Sequence, residues 1–149
     1  LLLFTRSTGK RMVLTAHSDG AAKGNPGPAG IGYYIEKNGI ILEEYSEFIG
    51  ETTNNMAEYQ ALIAVLKRMK ELGGCKITVI SDSELIVRQI NGIYKVKNPK
   101  LTELHSDAMH HINEFNSFRI VHVSRKLNSH ADSLANKALK EHCKTQERP

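Results

Sequence analysis

The stretch DGAAKGNPGPAG, residues 19–30, begins with an acidic residue at the end of an apolar run and continues as a turn rich in glycine and proline. Residues 12–18 before it have the composition of a buried strand. Residues 32–37 and 39–49 are predicted to form two further strands around Asn38-Gly39, which is a strong signal for a two-residue hairpin. Three antiparallel strands are therefore predicted to open the domain.

The apolar pattern becomes helical after Met56. Four apolar residues recur at the spacing of one helix face: Leu62, Val65, Met69 and Leu72. Gly73-Gly74 supplies the stop signal. Glu58 stands four residues before Leu62, so we expect it on the stripe that packs against the sheet rather than on the solvated face.

Two strands and three helices complete the predicted chain. A short β-branched run over residues 76–81 is typical of a buried strand, and a helix is predicted over residues 83–92. After the lysine-rich stretch 95–100, a second helix is expected to run to about Glu114. A last strand over 117–123 and a helix over roughly 128–143 follow, which makes the element order βββαβααβα.

Four acidic residues in four separate segments are the strongest candidates for a functional site. Asp19 and Asp82 each end an apolar strand-like run, whereas Glu58 and Asp132 each stand near the start of a helical pattern. A fold that brings them together creates a site of carboxylate oxygens for a hard cation. Such sites commonly serve phosphodiester hydrolysis.

Each of these acids also has a purely structural interpretation. Glu58 and Asp132 each follow a residue suited to helix capping by three positions, which is the spacing of a capping box. Asp82 can cap the helix that follows it. Asp19-Gly20 can be an ordinary turn.

The neighbours of the four acids, taken together, resemble type 1 ribonuclease H, the family that cuts the RNA strand of RNA/DNA hybrids. The resemblance extends from residue 13 to about 142. It includes the opening stretch, TNNMAE at 53–58, SDS at 81–83 and NSHADSLA at 128–135. It implies an α/β ribonuclease H-like fold, whose five-stranded mixed sheet has three antiparallel strands, then two parallel ones, with helices on both sides.

The resemblance also implies a two-metal site. Two Mg²⁺ ions, with Mn²⁺ as a possible substitute, would balance four carboxylates that otherwise repel one another by roughly 3 kcal/mol per pair at about 5 Å. Asp19 would bridge the ions, Asp132 would help hold the ion that activates water, and Glu58 with Asp82 would lie near the leaving group. Cleavage would leave a 3′-hydroxyl and a 5′-phosphate.

The contacts that select the hybrid are expected outside the acids. By resemblance, the substrate-binding residues are Asn25, Thr53, Asn54, Asn55, Ser83, Lys95, Lys97 and Lys100. The amides would face the minor groove, Thr53 would hold a phosphate, and the lysines would contact the backbone. Helix capping and a rigid Pro-Gly turn are the structural alternatives for the amides.

Three features differ from many relatives. The segment SRKLNSH, residues 124–130, replaces a glycine-rich loop with a histidine, so we take Arg125 as the catalytic auxiliary and His130 as a more structural residue. The chain has no tryptophan, and so it lacks the basic, tryptophan-containing protrusion. Glu84 stands where many relatives carry a glutamine.

Composition restricts the partners and the cellular setting of the protein only weakly. The net charge of +4 and pI near 9.1 mildly favour a polyanionic partner. No apolar run approaches the roughly 20 residues that span a bilayer, so membrane insertion is not expected. We separately expect a cytoplasmic protein that acts as a monomer. Cys75 and Cys143 are too few for a disulfide framework and lack the spacing of a zinc site.

The expected organisation is a possible extension over residues 1–11, a ribonuclease H domain over 12–143 and a frayed tail over 144–149. Two rival functions are less favoured. The four acids argue against a non-catalytic hybrid-binding module, and Asn25, Asn54 and Asn55 argue against a related DNA strand transferase or junction nuclease. The chain can also be the ribonuclease H domain of a larger reverse transcriptase.

Overall fold

The computed structural model describes the backbone of residues 12–147 and the side chains of residues 12–146. The extension expected over residues 1–11 lies outside the described residues. The described part forms a mixed sheet with helices packed on both faces.

The sheet has five strands in the order β3-β2-β1-β4-β5. The strands are β1 (Val13–Ala22), β2 (Gly27–Lys37), β3 (Ile40–Thr52), β4 (Lys76–Ser81) and β5 (Ser117–His122). The first three are antiparallel, β4 runs parallel to β1, and β5 runs parallel to β4. This is the predicted fold, with the two parallel strands joined to the edge of the antiparallel meander.

Within residues 12–147, four helices connect and cover the strands. They are α1 (Asn54–Glu71), α2 (Glu84–Ile90), α3 (Pro99–Ile112) and α4 (Ser129–Glu147), and a 3₁₀ turn, Arg125–Asn128, precedes α4. The predicted element order is confirmed. The last helix continues to Glu147, through residues that the sequence pattern assigned to a frayed tail.

Strand β2 begins five residues earlier than the glycine-rich pattern suggested, at Gly27 rather than Gly32. The reason is helix packing. A Cβ atom on Gly30 would lie 2.4 Å from the Ala135 carbonyl oxygen, and one on Gly32 would lie 2.3 Å from the Ala135 backbone nitrogen. These glycines let α4 approach the sheet, so part of the apparent turn signal is a helix-docking surface.

Helix α1 covers the opposite face of the sheet. Its predicted apolar stripe is buried at Leu62, Val65 and Met69, whereas Leu72 is the half-buried C-cap residue. Tyr33 and Ile35 of β2 join the same core. Because side chains alternate along a strand, these odd-numbered β2 residues face α1 while Gly30 and Gly32 face α4.

Gly20 fixes how closely α1 approaches β1. A Cβ atom at this position would lie 2.3 Å from the Ala57 carbonyl carbon and 2.5 Å from the Glu58 backbone nitrogen. Only a residue without a Cβ fits there. The first turn of α1 is thereby held against the strand that carries Asp19.

Within residues 12–147, no helix is both long enough and apolar enough to cross a membrane.

Candidate active site

Three of the four predicted acids meet at one end of the central strands. Asp19, Glu58 and Asp82 each offer one carboxylate oxygen, and these oxygens lie within 4.8 Å of one another. Asp19 is buried in β1, and Asp82 directly follows β4, which pairs in parallel with β1 up to His17 and Ile80. The parallel register therefore places the two aspartates side by side.

Glu58 joins them from the first turns of α1. Its Oε1 accepts a hydrogen bond from the Gly20 backbone N–H, next to Asp19. The N-cap of α1 is Thr53, whose hydroxyl accepts from the Met56 N–H at 3.2 Å. Glu58 is therefore bound to β1, and the capping-box interpretation is wrong for this residue.

Asp82 does not cap helix α2, so the capping interpretation is also wrong for this residue. The N-cap of α2 is Ser83, whose hydroxyl accepts from the Ile86 N–H at 3.3 Å. Ser83, predicted as a substrate contact, thus has a structural hydrogen bond of its own. The Asp82 carboxylate remains beside Asp19.

Asp132, in the first turn of α4, lies next to the three clustered acids. Its carboxyl is a hydrogen-bonding neighbour of Asp19, and its charge raises the pKa of Asp82 after the larger effect of burial. The Asn136 Nδ2 donates to Asp132 Oδ1 at 3.1 Å and to the Asp132 carbonyl oxygen at 2.9 Å. All four predicted acids thus come together, with Asp132 at the border of the cluster.

The cluster is electrostatically strained without a counter-charge. Burial, a hydrogen bond to Glu58 and the negative charges nearby all raise the pKa of Asp19. Burial raises the pKa of Glu58 to about 7, although hydrogen bonds from Asp19 and the Gly20 N–H oppose it. Burial also raises the pKa of Asp82, while the charge of Arg125 lowers it.

The donor set fits a divalent cation. Carboxylate oxygens at this spacing are the ligands that hard cations prefer, and a cation would offset the burial and the mutual repulsion that favour protonation. Asp19, Glu58 and Asp82 can bind one ion directly, and Asp132 can extend the site.

Asn128 is a site residue that the sequence reasoning missed. Its side chain is buried, and its Nδ2 donates to the Ser18 carbonyl oxygen at 3.0 Å and lies 3.5 Å from Asp82 Oδ2. Among the described residues its buried Oδ1 has no partner. Its place just before α4 resembles an ordinary helix start, so only the fold shows that it connects β1 to Asp82.

The predicted amide contacts hold the loop between β1 and β2 against α1. Asn25 Oδ1 accepts from the Asn54 N–H at 3.1 Å, and Asn54 Oδ1 accepts from the Ala22 N–H at 2.8 Å. Both side chains keep an NH₂ group as a donor, and Asn55 is exposed beside them. The amides are therefore part of the loop structure and also available to a ligand.

The three predicted backbone-binding lysines are all exposed. Lys95 and Lys97 lie in the connection between α2 and α3, and Lys100 lies in the first turn of α3. Tyr94, beside Lys95, places its ring 5.3 Å from the guanidinium carbon of Arg88. This connection is a compact basic segment in place of a longer protrusion.

Arg125 and His130 have different surroundings. Arg125 is exposed in the 3₁₀ turn, and its positive charge opposes the effect of burial on the pKa of both Glu58 and Asp82. His130 contacts Glu44 through Nε2 and lies over Tyr34, with ring centroids 4.4 Å apart. Arg125 thus acts on the acids, whereas His130 packs on the sheet.

Comparison with known proteins supports the same family. The family model described as "Reverse transcriptase-like" matches residues 17–138. The RNase H1 structure from Halobacterium salinarum is similar at a TM-score of 0.85 and 38% identity, over 87% of this chain and 98% of that one. LC11-RNase H1 in complex with an RNA/DNA hybrid gives a TM-score of 0.83 and 43% identity, over 87% and 99%.

Some relatives are longer than this chain. "Bifunctional protein Rv2228c" of Mycobacterium tuberculosis is 39% identical over 130 residues, which cover 86% of this chain but only 36% of the relative. The chain therefore spans about a third of that protein.

Proposed function

Because the chain belongs to the type 1 ribonuclease H family, we propose that it hydrolyses the RNA strand of RNA/DNA hybrids with the help of divalent metal ions. The observation that carries the proposal is the convergence of Asp19, Glu58 and Asp82 within 4.8 Å, with Asp132 beside them. Four separate segments of sequence supply these acids. The sheet register, Gly20 and the α4 docking glycines bring them to one point.

Asp19, Glu58, Asp82 and Asp132 would hold the metal ions, and magnesium is the best match to a site of carboxylate oxygens that leaves room for water. When bound, such ions make a nucleophile from water at neutral pH and stabilise charge on the phosphate. Asn128 positions Asp82, and Asn136 positions Asp132, through their Nδ2 contacts.

The residues around the acids would choose the substrate. Asn25, Asn54 and Asn55 border the loop that follows Asp19, and their amide donors can reach base edges and sugars in a minor groove. Exposed Lys95, Lys97 and Lys100 add positive charge that suits phosphates. Arg125 would assist proton transfer or product departure near Glu58 and Asp82.

A non-catalytic hybrid-binding module is a weaker interpretation. Binding to phosphates gains nothing from four carboxylates clustered where the backbone must approach. Burial and the neighbouring negative charges raise the pKa values of Asp19 and Asp82, so the ionised cluster is unfavourable without a counter-charge. Metal-dependent chemistry best explains why four acids stand together despite this unfavourable energy.

The test is a cleavage assay on four labelled substrates: an RNA/DNA hybrid, duplex RNA, duplex DNA and single-stranded RNA. Each is incubated with magnesium, with manganese or with a chelator. We expect cleavage of the RNA strand in the hybrid only, products with 5′-phosphate and 3′-hydroxyl ends, and no cleavage in chelator.

The control variant is Asp107→Asn, which removes an exposed carboxylate of α3 that pairs with His111 at 3.3 Å. It should cleave like the parent. Hybrid binding without cleavage under every metal condition would support the binding module, and cleavage of duplex DNA would support a different nuclease class.

A further inference from the structure

A groove of about 430 Å³ lies between the end of β1 and the middle of α4, beside the acid cluster. We propose that this groove binds the RNA strand of the substrate on one side of the cleaved phosphodiester. The inference rests on the proposed function and extends it, because it assigns a binding surface to residues that the predicted substrate contacts do not include.

The walls of the groove suit a sugar-phosphate chain. Lys23 comes from the loop after β1, and Lys140 and Lys144 come from α4. Ala22 and Leu139 supply apolar surface between them, and Asn136 stands at the end nearest the acids. The groove thus combines three lysine side chains with apolar lining residues.

The groove is continuous with the acid cluster along one helix face. Asp132, Asn136, Lys140 and Lys144 follow one another at intervals of four residues in α4, so they lie in one row. Twelve residues of helix span about 18 Å, which is room for several nucleotides. Asn136 links the two parts, because it lines the groove and donates to Asp132 Oδ1 at 3.1 Å.

Across the groove from α4, hydrogen bonds hold the backbone at the end of β1 and in the loop after it. The Ala22 N–H donates to Asn54 Oδ1 at 2.8 Å, and the Lys23 N–H donates to the Pro28 carbonyl oxygen at 2.8 Å. The position of Lys23 relative to the acids is therefore set by the same loop that carries the predicted minor-groove amides. A strand that passes over the acids reaches the groove without leaving the protein surface.

The charge of the lining residues indicates which kind of ligand the groove binds. Lysine is the only charged residue type among the described residues that line the groove, so it favours an anion. Phosphates of a nucleic acid match three lysines spread along a row better than a single small anion does. Since the acids act on RNA, the chain that continues from them into the groove is the RNA strand.

The test measures binding with the cleavage-inactive variant Asp19→Asn as background. A short hybrid that ends just beyond the acid cluster is compared with hybrids extended by single-stranded RNA on the 5′ or the 3′ side. A matching pair carries single-stranded DNA extensions on the complementary strand. The groove variant is Lys23→Gln/Lys140→Gln/Lys144→Gln.

We expect one RNA extension to tighten binding to the background protein, and the groove variant to lose about tenfold or more of that gain. The slope of log affinity against log salt for that substrate should fall by up to about 3 units. The short hybrid should bind both proteins with similar affinity, because it does not reach the groove.

A matched control removes the same charge elsewhere. Lys67, Lys76 and Lys137 are exposed on α1, β4 and α4 and do not line the groove, so the triple glutamine variant at these positions should keep the RNA-extension gain.

Three results would overturn the inference: no gain from either RNA extension, equal loss in the two triple variants, or a loss confined to DNA extensions. The proposed function fails separately, if the parent protein does not cleave the hybrid at all.

Discussion

The Asp19 carboxyl is buried beside two other carboxyls, and this arrangement has a thermodynamic consequence in the absence of metal. Burial first, and neighbouring negative charge second, raise the pKa values of Asp19 and Asp82, and burial raises that of Glu58, so the folded protein binds protons here more tightly than the unfolded chain does. Groups with raised pKa values stabilise the fold fully at low pH. Their contribution is lost as pH rises through the folded pKa.

The first prediction follows from the direction of these pKa shifts. In chelator, the contribution of the acid cluster to the free energy of unfolding should fall as pH rises from about the ordinary aspartate pKa of 3.8, through the Glu58 pKa of about 7, and above it. Asp19→Asn removes one of the crowded charges. It should flatten this fall and stabilise the metal-free protein at pH 8 by about 1–3 kcal/mol.

Denaturant unfolding at several pH values measures this change, and saturating magnesium should stabilise the parent more than the variant. If the stability gained by Asp19→Asn over the parent does not grow between pH 5 and pH 8 in chelator, the assignment of a repulsive cluster is wrong.

The second prediction separates Arg125 from His130. Arg125→Ala should lower turnover on hybrid by roughly one to two orders of magnitude, the usual range for an auxiliary in proton transfer. Hybrid affinity should change little, because the side chain acts near Glu58 and Asp82. His130→Ala removes contacts to Tyr34 and Glu44, so it should affect stability and leave turnover per folded molecule unchanged.

Turnover and hybrid affinity, measured for both variants, show which of the two residues assists catalysis. Normal cleavage by Arg125→Ala with a crippled His130→Ala would reverse the two roles.

Single residues also show what sequence reasoning can and cannot provide. The four acids could be predicted because their neighbours form recognisable motifs in a fixed order. Asn128 could not, because its contacts to Ser18 and Asp82 join segments that are 110 and 46 residues away in the chain. A buried amide of this kind has no local signature, since its partners are set only when α4 docks.

At the scale of elements, the distance between α1 and β1 decides whether Glu58 reaches Asp19. Gly20→Ala is the third prediction. The new Cβ would meet the Ala57 backbone at 2.3 Å, so α1 must move outward and carry Glu58 with it. We expect a loss of at least tenfold in cleavage per folded molecule, in addition to a loss of stability.

Gly73→Ala is the matched control for backbone change. Gly73 has a φ of +87°, and no atom of the described residues lies within 4 Å of an added Cβ, so alanine there costs about 1–2 kcal/mol of strain without moving the acids. It should keep full cleavage per folded molecule. If both glycine variants lose activity in proportion to stability alone, the close approach at Gly20 has no special role.

The fourth prediction concerns the loop amides and the basic connection. Asn55→Ala should weaken hybrid binding by about 1–3 kcal/mol with little change in salt slope, because amides make short-range contacts. Replacing Lys95, Lys97 and Lys100 should lower the salt slope by up to about 3 units and preserve the preference for hybrid over duplex DNA. Titrations at several salt concentrations, in the Asp19→Asn background, measure both.

If the triple lysine variant lost its preference for hybrid over duplex DNA with no change in salt slope, the assignment of selectivity to the amides and of phosphate contact to the lysines would be wrong.

Element types were easier to predict than element limits. The hairpin at Asn38-Gly39 and the α1 stripe have local signatures, and both are correct. The start of β2 at Gly27 was missed because Gly30 and Gly32 resemble turn residues until α4 is seen against them. The length of α4 was also underestimated, since the residues after 143 lack a strong apolar period.

For the whole molecule, the order of the strands explains why separate motifs form one site. Strand β1 is central, so Asp19 has β4 and Asp82 on one side, α1 and Glu58 above one face, and α4 with Asp132 on the other. The net charge of +4 includes these acids, and the remaining surface is correspondingly more basic. Composition alone could suggest a polyanionic partner but not the hybrid.

The measurement that tests the central claim most directly is the rate of hybrid cleavage in magnesium by four single variants: Asp19→Asn, Glu58→Gln, Asp82→Asn and Asp132→Asn. If the four carboxylates hold the metal as one unit, each variant should lose about a hundredfold or more in rate while still binding hybrid, and Asp107→Asn should cleave like the parent. Cleavage at near-parental rate by any one of these four variants would contradict the account.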